Sequence, residues 1–277
     1  MSYNEKPVLQ VKNLSVRYGK GCPECATHLE KNRCSVCKTV WAANDISIEV
    51  YPGEVLGIVG ESGSGKSTLM QSLYFDIEPT SGEAFLSGYK NGEKDIWQVS
   101  AAEKRKIKNN VMGMVYQNPI RGLRMDYSAA SNIAEKIIAA GNRNAGQMTE
   151  RAKELLEAVE ILTSRMGEAP KNFSGGMQQR VQISKALANN PSILLLDEVT
   201  TGLDLSVQAR VLDLIRKIKN RYGISILLVS HDLAVIRMLA DRTVVILDGK
   251  IIESGLTDQI LEDPQHAYTQ QLVHSLL

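Results

Sequence analysis

The chain opens on VLQVKNLSVRYG, a strand-like run, and a second strand pattern follows at DISIEV, where Ile46, Ile48 and Val50 alternate with polar Ser47 and Glu49. The two are expected to pair as an antiparallel hairpin, so the segment between them is an insertion in a connection. Glu54 to Val59 is a short apolar strand that runs directly into a glycine-rich turn and then a helix. ERAKELLEAVEIL sets Ala152, Leu155, Leu156 and Val159 at helical spacing, with Thr149 as the expected N-cap. After Ser192 the pattern alternates: a strand (ILLL), a helix with Val207, Val211, Leu214, Ile215 and Ile218 on one face, a strand (ISILLVS), a helix and a strand (TVVIL). Such alternation specifies a mostly parallel sheet covered by helices. The stretch from about 118 to 190 reads as helical throughout and interrupts the strand series, so a helical subdomain inserted into the α/β core is expected. The end, from about 256 to 277, is expected to be a helical tail.

Composition narrows the function more than the fold. The 277 residues are 43% hydrophobic and 23% charged, an ordinary globular balance long enough for one large α/β domain. Lys plus Arg number 32 against 31 Asp plus Glu, and a net charge of +1 supplies no broad field for nucleic acid. The basic run AAEKRKIKNN, residues 101 to 110, reads as the wet face of a helix. The longest apolar runs, such as Ile193 to Leu196 and Ile226 to Val229, fall far short of the ~20 residues of a membrane span, so no direct membrane insertion is expected. The opening MSYNEKPVLQ lacks the apolar stretch of a secretory signal, and the expected location is cytoplasmic.

Cys22, Cys25, Cys34 and Cys37 form the pattern C-x2-C-x8-C-x2-C, and no cysteine is left over. In a reducing compartment each C-x2-C turn aims two sulfurs at one point, which reads as a tetrahedral thiolate site with structural zinc as first choice. A pair of disulfides, idle thiols or an iron–sulfur cluster are the alternatives. His28, between the knuckles, reads as a solvated loop residue outside the ligand set.

Residues 60 to 68 are GESGSGKST, a G-x4-G-K-[ST] loop after a strand and at a helix start. Gly60, Gly63 and Gly65 let backbone N–H groups curl toward phosphate oxygens, together with Ser64, and the helix start adds its partial positive charge. Lys66 is expected to reach the β and γ phosphates of a nucleoside triphosphate, Ser67 to offer a hydroxyl to Mg²⁺, and Thr68 to contact the α phosphate region. ILLLDE, residues 193 to 198, ends a buried strand in two carboxylates; Asp197 is expected in the Mg²⁺ shell and Glu198 beside the attacking water. FSGGMQQR, residues 173 to 180, places Ser174, Gly175 and Gly176 at a helix start, a second anion site about a hundred residues from the first. Two such elements in one chain suggest two chains sharing two nucleotides.

The series GESGSGKST, FSGGMQQR, ILLLDE, GLD and SHD resembles the ATP-binding-cassette (ABC) ATPases over nearly the whole chain. The resemblance implies an α/β P-loop NTPase fold with a RecA-like parallel-sheet core, an antiparallel β subdomain and an inserted helical subdomain, and ATP with Mg²⁺ as cofactors. It also implies that Tyr18 stacks on adenine, Gln117 joins the Mg²⁺ and water network, Glu198 is the general base, Asp204 communicates across a dimer and His231 contacts the γ phosphate. Phe173, Met177, Val199 and Thr201-Gly202 depart from the residues common in the family at those positions. The strings NPIRGLRMDYSAASNIAEKI and ESGLTDQILEDPQHAYTQ resemble the cassettes of the carbon–phosphorus lyase system, with Gly122-Leu123-Arg124 as the telling piece. That resemblance implies docking on soluble lyase core subunits for phosphonate degradation, beside a second cassette that is either another copy or an L-type cassette. The alternative is the ATP-binding subunit of an oligopeptide, dipeptide or nickel importer, which the tail DPQHAYTQQLVHSLL also resembles. A zinc-dependent nucleic-acid regulator requires a basic stripe that the charge balance does not supply, and a simple P-loop kinase has no use for SGGMQ.

Overall fold

The computed structural model describes residues 5 to 274. Its chain divides into two compact units, one formed by residues up to 99 together with those from 228 onward, the other by residues 100 to 227.

The first unit begins with β1 (Leu9–Tyr18), followed by the short strands β2 (Leu29–Glu30) and β3 (Arg33–Cys34) and the long β4 (Val40–Val50). β4 pairs antiparallel with β1, Leu9 opposite Val50 and Tyr18 opposite Val40. The hairpin expected from the alternating pattern is present, and β4 starts well before DISIEV, immediately after the cysteines. Next come β5 (Val55–Val59), α1 (Lys66–Leu73) and β6 (Ser81–Leu86). The antiparallel sheet runs in the order β2-β3-β4-β1-β6, so the cysteine segment extends one edge of it.

The second unit opens with α2 (Ala101–Asn110), whose Ser100 and Glu103 form a reciprocal cap and whose only buried residue is Ile107. The basic run is the wet helix face expected. β7 (Met112–Val115) then precedes α3 (Pro119–Gly122), α4 (Ala129–Ala139), α5 (Ala145–Ala158) and α6 (Gly175–Leu187), and β8 (Ile193–Asp197) and α7 (Leu205–Tyr222) follow. β7 and β8 lie parallel, Met112 opposite Ile193. Thr149 does not cap α5. Asn144 does, its side chain accepting the Gln147 N–H at 3.0 Å, and Thr149 lies a turn inside with its hydroxyl on the Ala145 carbonyl at 2.9 Å. The polar stretch NRNAGQ, residues 142 to 147, carries no apolar periodicity, and cap chemistry at Asn144 decides the start.

β9 (Ser225–Val229) carries the chain back to the first unit, which is completed by α8 (Leu233–Leu239), β10 (Arg242–Leu247), β11 (Lys250–Leu256), α9 (Thr257–Glu262) and α10 (Ala267–His274). There β5 lies parallel to β10, and β10 antiparallel to β11. All five residues of β5 are buried, and so are all five of β8 and of β9, which explains their continuous apolar character. Glu54, only 2% exposed, is stabilised by Arg242 Nη1 at 3.0 Å. No helix among the described residues is long and apolar enough to cross a membrane. The expected tail holds α9 and α10, and its last residues, 275 to 277, lie outside the described ones.

Candidate functional site

In the first unit, β5 delivers the chain into the loop at Gly60, and Gly60, Gly63 and Gly65 all take positive φ. Gly65 leaves no choice: at φ +104 it caps α1, and a Cβ there would lie 1.8 Å from the Ala42 carbonyl oxygen. Lys66 heads α1 with its side chain buried, and its ammonium donates to the carbonyls of Gly60 and Glu61, 2.8 Å each, with Ser64 Oγ at 3.5 Å. The loop thus concentrates a buried cation and the positive end of a helix where an anion is attracted. Ser64 is buried, and its carbonyl accepts the Gly249 N–H at 3.1 Å, which pins the loop from β11's side. Ser67 and Thr68 occupy the first turn, and Tyr18 Oη lies 3.3 Å from Thr68 Oγ1. The Tyr18 side chain, half exposed, therefore stands directly beside the loop. His231 is exposed; the cap of α8 is its neighbour Asp232, which accepts the Ala234 N–H at 2.8 Å.

One residue beside this loop has no counterpart in the motif reading. Tyr268 on α10 accepts the Glu61 N–H on its hydroxyl at 2.8 Å. The segment before α10 is strapped down by Glu253, whose two oxygens accept the N–H groups of Gln265 and His266. The tail is thereby part of the loop's support. The available signal was the string DPQHAYT itself, which a local motif search has no reason to connect to a loop two hundred residues earlier.

In the second unit, β8 ends at Asp197, buried, and Glu198 follows on a left-handed backbone at φ +47. A non-glycine residue there is strained by ~1 kcal/mol or more, a cost that concentrates at functional positions. Gln117 Nε2 donates to Glu198 Oε2 at 3.1 Å, and the Thr201 hydroxyl lies 3.3 Å from the same oxygen. The Gln117 carbonyl is in turn held by Gln179 Nε2 at 3.0 Å. Adjacent carboxylates with an amide alongside are hard oxygen donors of the kind magnesium takes.

Ser174 caps α6, its Oγ accepting the Met177 N–H at 3.4 Å, and Ser174 and Gly175 are exposed. Gly176 is buried, and a Cβ there would lie 2.4 Å from Val207 Cγ1 on α7. The two residues that depart from the family's usual signature share one partner: the Arg165 guanidinium lies 4.7 Å from the Phe173 ring and 3.5 Å from Met177 Sδ, and is held in a fork by both Glu168 oxygens. Asp204 caps α7; the Val207 N–H at 2.9 Å and the Ser206 hydroxyl at 2.8 Å hold its carboxyl below the usual range. Of Gly122-Leu123-Arg124, Leu123 is buried and the Gly122 carbonyl accepts from Lys185 Nζ at 2.8 Å. Arg124 alone presents its side chain outward, 69% exposed and 3.5 Å from Glu135.

The four cysteines converge. Their sulfurs all lie within 4.8 Å of one another, and all four are free thiols, which leaves no disulfide in place. Cys22 to Cys25 and Cys22 to Cys34 are 3.8 Å, and Cys25 to Cys37 is 3.5 Å. A tetrahedral thiolate site with metal–sulfur bonds of ~2.3 Å has edges of ~3.8 Å, so the donor set fits. Cys25 and Cys34 are buried, and the Cys22 N–H points at Cys25 Sγ at 3.3 Å. Burial pushes the Cys22 thiol up to about 12, whereas the Thr39 hydroxyl and backbone bring Cys37 down to about 6. His28 contacts Thr27 Oγ1 at 2.9 Å and is absent from the cluster.

Residues 43–201 match the ABC transporter family, and the chain belongs to it: it is an ABC-type ATPase with the family's P-loop fold. Within that family it is PhnK-like. It is 46% identical over 234 residues to the phosphonates-utilization ATP-binding protein PhnK of Escherichia coli strain K12, covering 84% of this chain and 91% of PhnK. It is also 37% identical over 244 residues to the oligopeptide transport ATP-binding protein OppD of Bacillus subtilis, covering 86% of this chain and 67% of OppD. Among solved structures, the dimeric post-hydrolysis state of the cassette MJ0796 bound to ADP and phosphate matches with a TM-score of 0.75 at 27% identity, covering 90% of this chain and 98% of that one.

Proposed function

We propose that the protein is the ATP-driven cassette of a phosphonate-degrading system, docking on the soluble subunits of a carbon–phosphorus lyase. The observation that carries this reading is the identity to PhnK, higher and more complete at 91% of the relative than that to the importer cassettes. The importer reading keeps a specific support in those same relatives, among them OppD. The two part on the partner: co-purification with soluble phosphonate-degrading subunits without detergent, and loss of growth on phosphonate in a deletion strain, are the expected results. Recovery of an integral membrane permease instead, with normal phosphonate use, overturns the lyase reading.

In the chemistry proposed, the Gly60–Thr68 loop binds the ATP phosphates, with Lys66 on the β and γ groups and Tyr18 stacked on the base. Magnesium, when bound, neutralises the phosphates' growing charge; Ser67, Asp197 and Gln117 are the residues assigned to hold it. Glu198 takes the proton of the attacking water, its carboxylate oriented by Gln117 and Thr201. His231 contacts the γ phosphate. Ser174, Gly175 and Gly176 of a second cassette, a copy or an L-type chain, close on the same nucleotide, and Asp204 lies at that junction. Cys22, Cys25, Cys34 and Cys37 would hold one zinc ion, which would serve as a structural clip and not as a source of a water nucleophile.

A further inference from the structure

Thr39 is the point at which the cysteine segment and the nucleotide-facing end of β1 meet. It is 3% exposed. Its hydroxyl accepts the Gly21 N–H at 3.0 Å and lies 3.2 Å from Cys37 Sγ, and its carbonyl accepts the Cys34 N–H at 2.9 Å. The chain leaving Tyr18 runs hard against it, since a Cβ on Gly19 would lie 2.7 Å from Thr39 Oγ1. The next residue, Val40, is the strand partner of Tyr18, and Trp41 is the partner of Arg17. The Arg17 guanidinium lies 5.8 Å from the Trp41 ring, and the Trp41 N–H donates to the Asn32 carbonyl at 2.7 Å, in the turn between β2 and β3. At its far end Tyr18 reaches Thr68 of the phosphate loop at 3.3 Å.

We propose that Thr39 ties the metal held by the four cysteines to Tyr18, so that metal occupancy sets how tightly the protein holds the adenine end of its nucleotide. The proposal rests on the metal reading above and on Tyr18 as the stacking aromatic. Residues 19 to 39 form a long connection whose own secondary structure is two strands of two residues each and a single 3-10 turn. Such a segment is ordered by its metal, because ligand closure replaces the core it is too small to build. With the metal in place, Cys37 fixes Thr39, and Thr39 fixes the backbone at Gly19 and Gly21 that leaves Tyr18. With the metal gone, the Tyr18 ring must be ordered at the moment the base binds, and that ordering is subtracted from affinity. The phosphate loop is held separately by β5, α1 and Tyr268, so the triphosphate end keeps its affinity. Thr39 is a positioning residue: it touches neither phosphate nor base.

The test is isothermal titration of the full chain with ATP and, separately, with inorganic tripolyphosphate, before and after chelation, with elemental analysis of both samples. Metal removal is expected to raise the Kd for ATP about tenfold, within the range of losing a base–aromatic stack, and to leave tripolyphosphate binding unchanged. Thr39→Ala should reproduce the loss with metal still bound, and Thr39→Ser, which keeps the hydroxyl, should restore ATP affinity. In a Tyr18→Ala protein, metal removal should make no further difference, the signature of two groups acting through one contact. Unchanged ATP affinity after loss of a metal that was bound overturns the coupling and leaves the metal reading standing. Absence of metal from protein purified without chelator overturns both. Equal losses for ATP and tripolyphosphate overturn the coupling as well, since they mark general loosening of the fold.

Discussion

Glu198 shows how one residue is prepared by its neighbours. The strand before it is buried and the backbone at Glu198 is left-handed, so the carboxylate leaves the strand direction and meets Gln117 and Thr201. Glu198→Gln preserves shape and one acceptor oxygen but removes the proposed base. Steady-state ATP hydrolysis should fall by roughly 10²-fold or more, with ATP binding retained, and wild-type turnover would reject the assignment. Gly176 poses the opposite problem, one of space. Gly176→Ala sets a methyl 2.4 Å from Val207 Cγ1, so either the Val207 side chain must turn or α6 and α7 must shift apart. A loss of ~1–3 kcal/mol in unfolding free energy is expected from denaturant titration, and a stability equal to wild type would show that the contact relaxes freely.

At the level of elements, the second unit contains a buried ammonium that makes its stability depend on pH. Lys136 on α4 donates to the carbonyls of Lys108, at the end of α2, and Met112, at the start of β7, at 2.5 and 3.4 Å. Burial first, and then the positive charges of Lys185 and Lys108, bring its pKa down to about 7 from the ordinary value of 10.5. Between those values the unfolded chain binds the extra proton, so this residue's contribution makes folding more favourable as pH rises from about 7 to about 10. Below about 7 both states are protonated and the contribution is flat. The slope is at most ~1.4 kcal/mol per pH unit. Denaturant midpoints of wild type and Lys136→Met should diverge in that window and run parallel below it; parallel curves throughout would contradict the low pKa. The same unit shows why motif departures need not be defects. Phe173 and Met177 sit on a single Arg165, so the signature's two unusual residues form one packed cluster beside the helix start that Ser174 caps.

For the whole molecule, the helix starts at Gly65 and Ser174, both proposed to bind nucleotide phosphates, and the likeness to the dimeric, ADP- and phosphate-bound MJ0796 cassette lead to an expectation about assembly. The Glu198→Gln protein with ATP and Mg²⁺ should double its mass in light scattering and remain single without nucleotide; a single mass at saturating ATP would count against a shared site. Much of this was legible from residue order, because phosphate binding, helix capping and buried strands each use short contiguous strings. GESGSGKST, ILLLDE and FSGGMQQR name their own chemistry, and the alternation of Ile46, Ile48 and Val50 names a strand with one covered face. β6, β7 and β11 were not legible: they are short or edge strands, and β7 is interrupted at Gly113, so partners in the sheet decide them more than their own pattern does. The start of α5 went to Asn144 for a related reason, since one cap hydrogen bond outweighs a weak periodic signal. The cysteine spacing by itself determined that four sulfurs could meet. Only tertiary structure decided that they meet against Thr39, that Thr39 abuts the residues after Tyr18, and that Tyr268 holds the phosphate loop from the other end of the chain. The physical reason is contact range: a motif encodes bonds among neighbours in sequence, whereas these contacts join segments that only the closed sheets bring within hydrogen-bond distance.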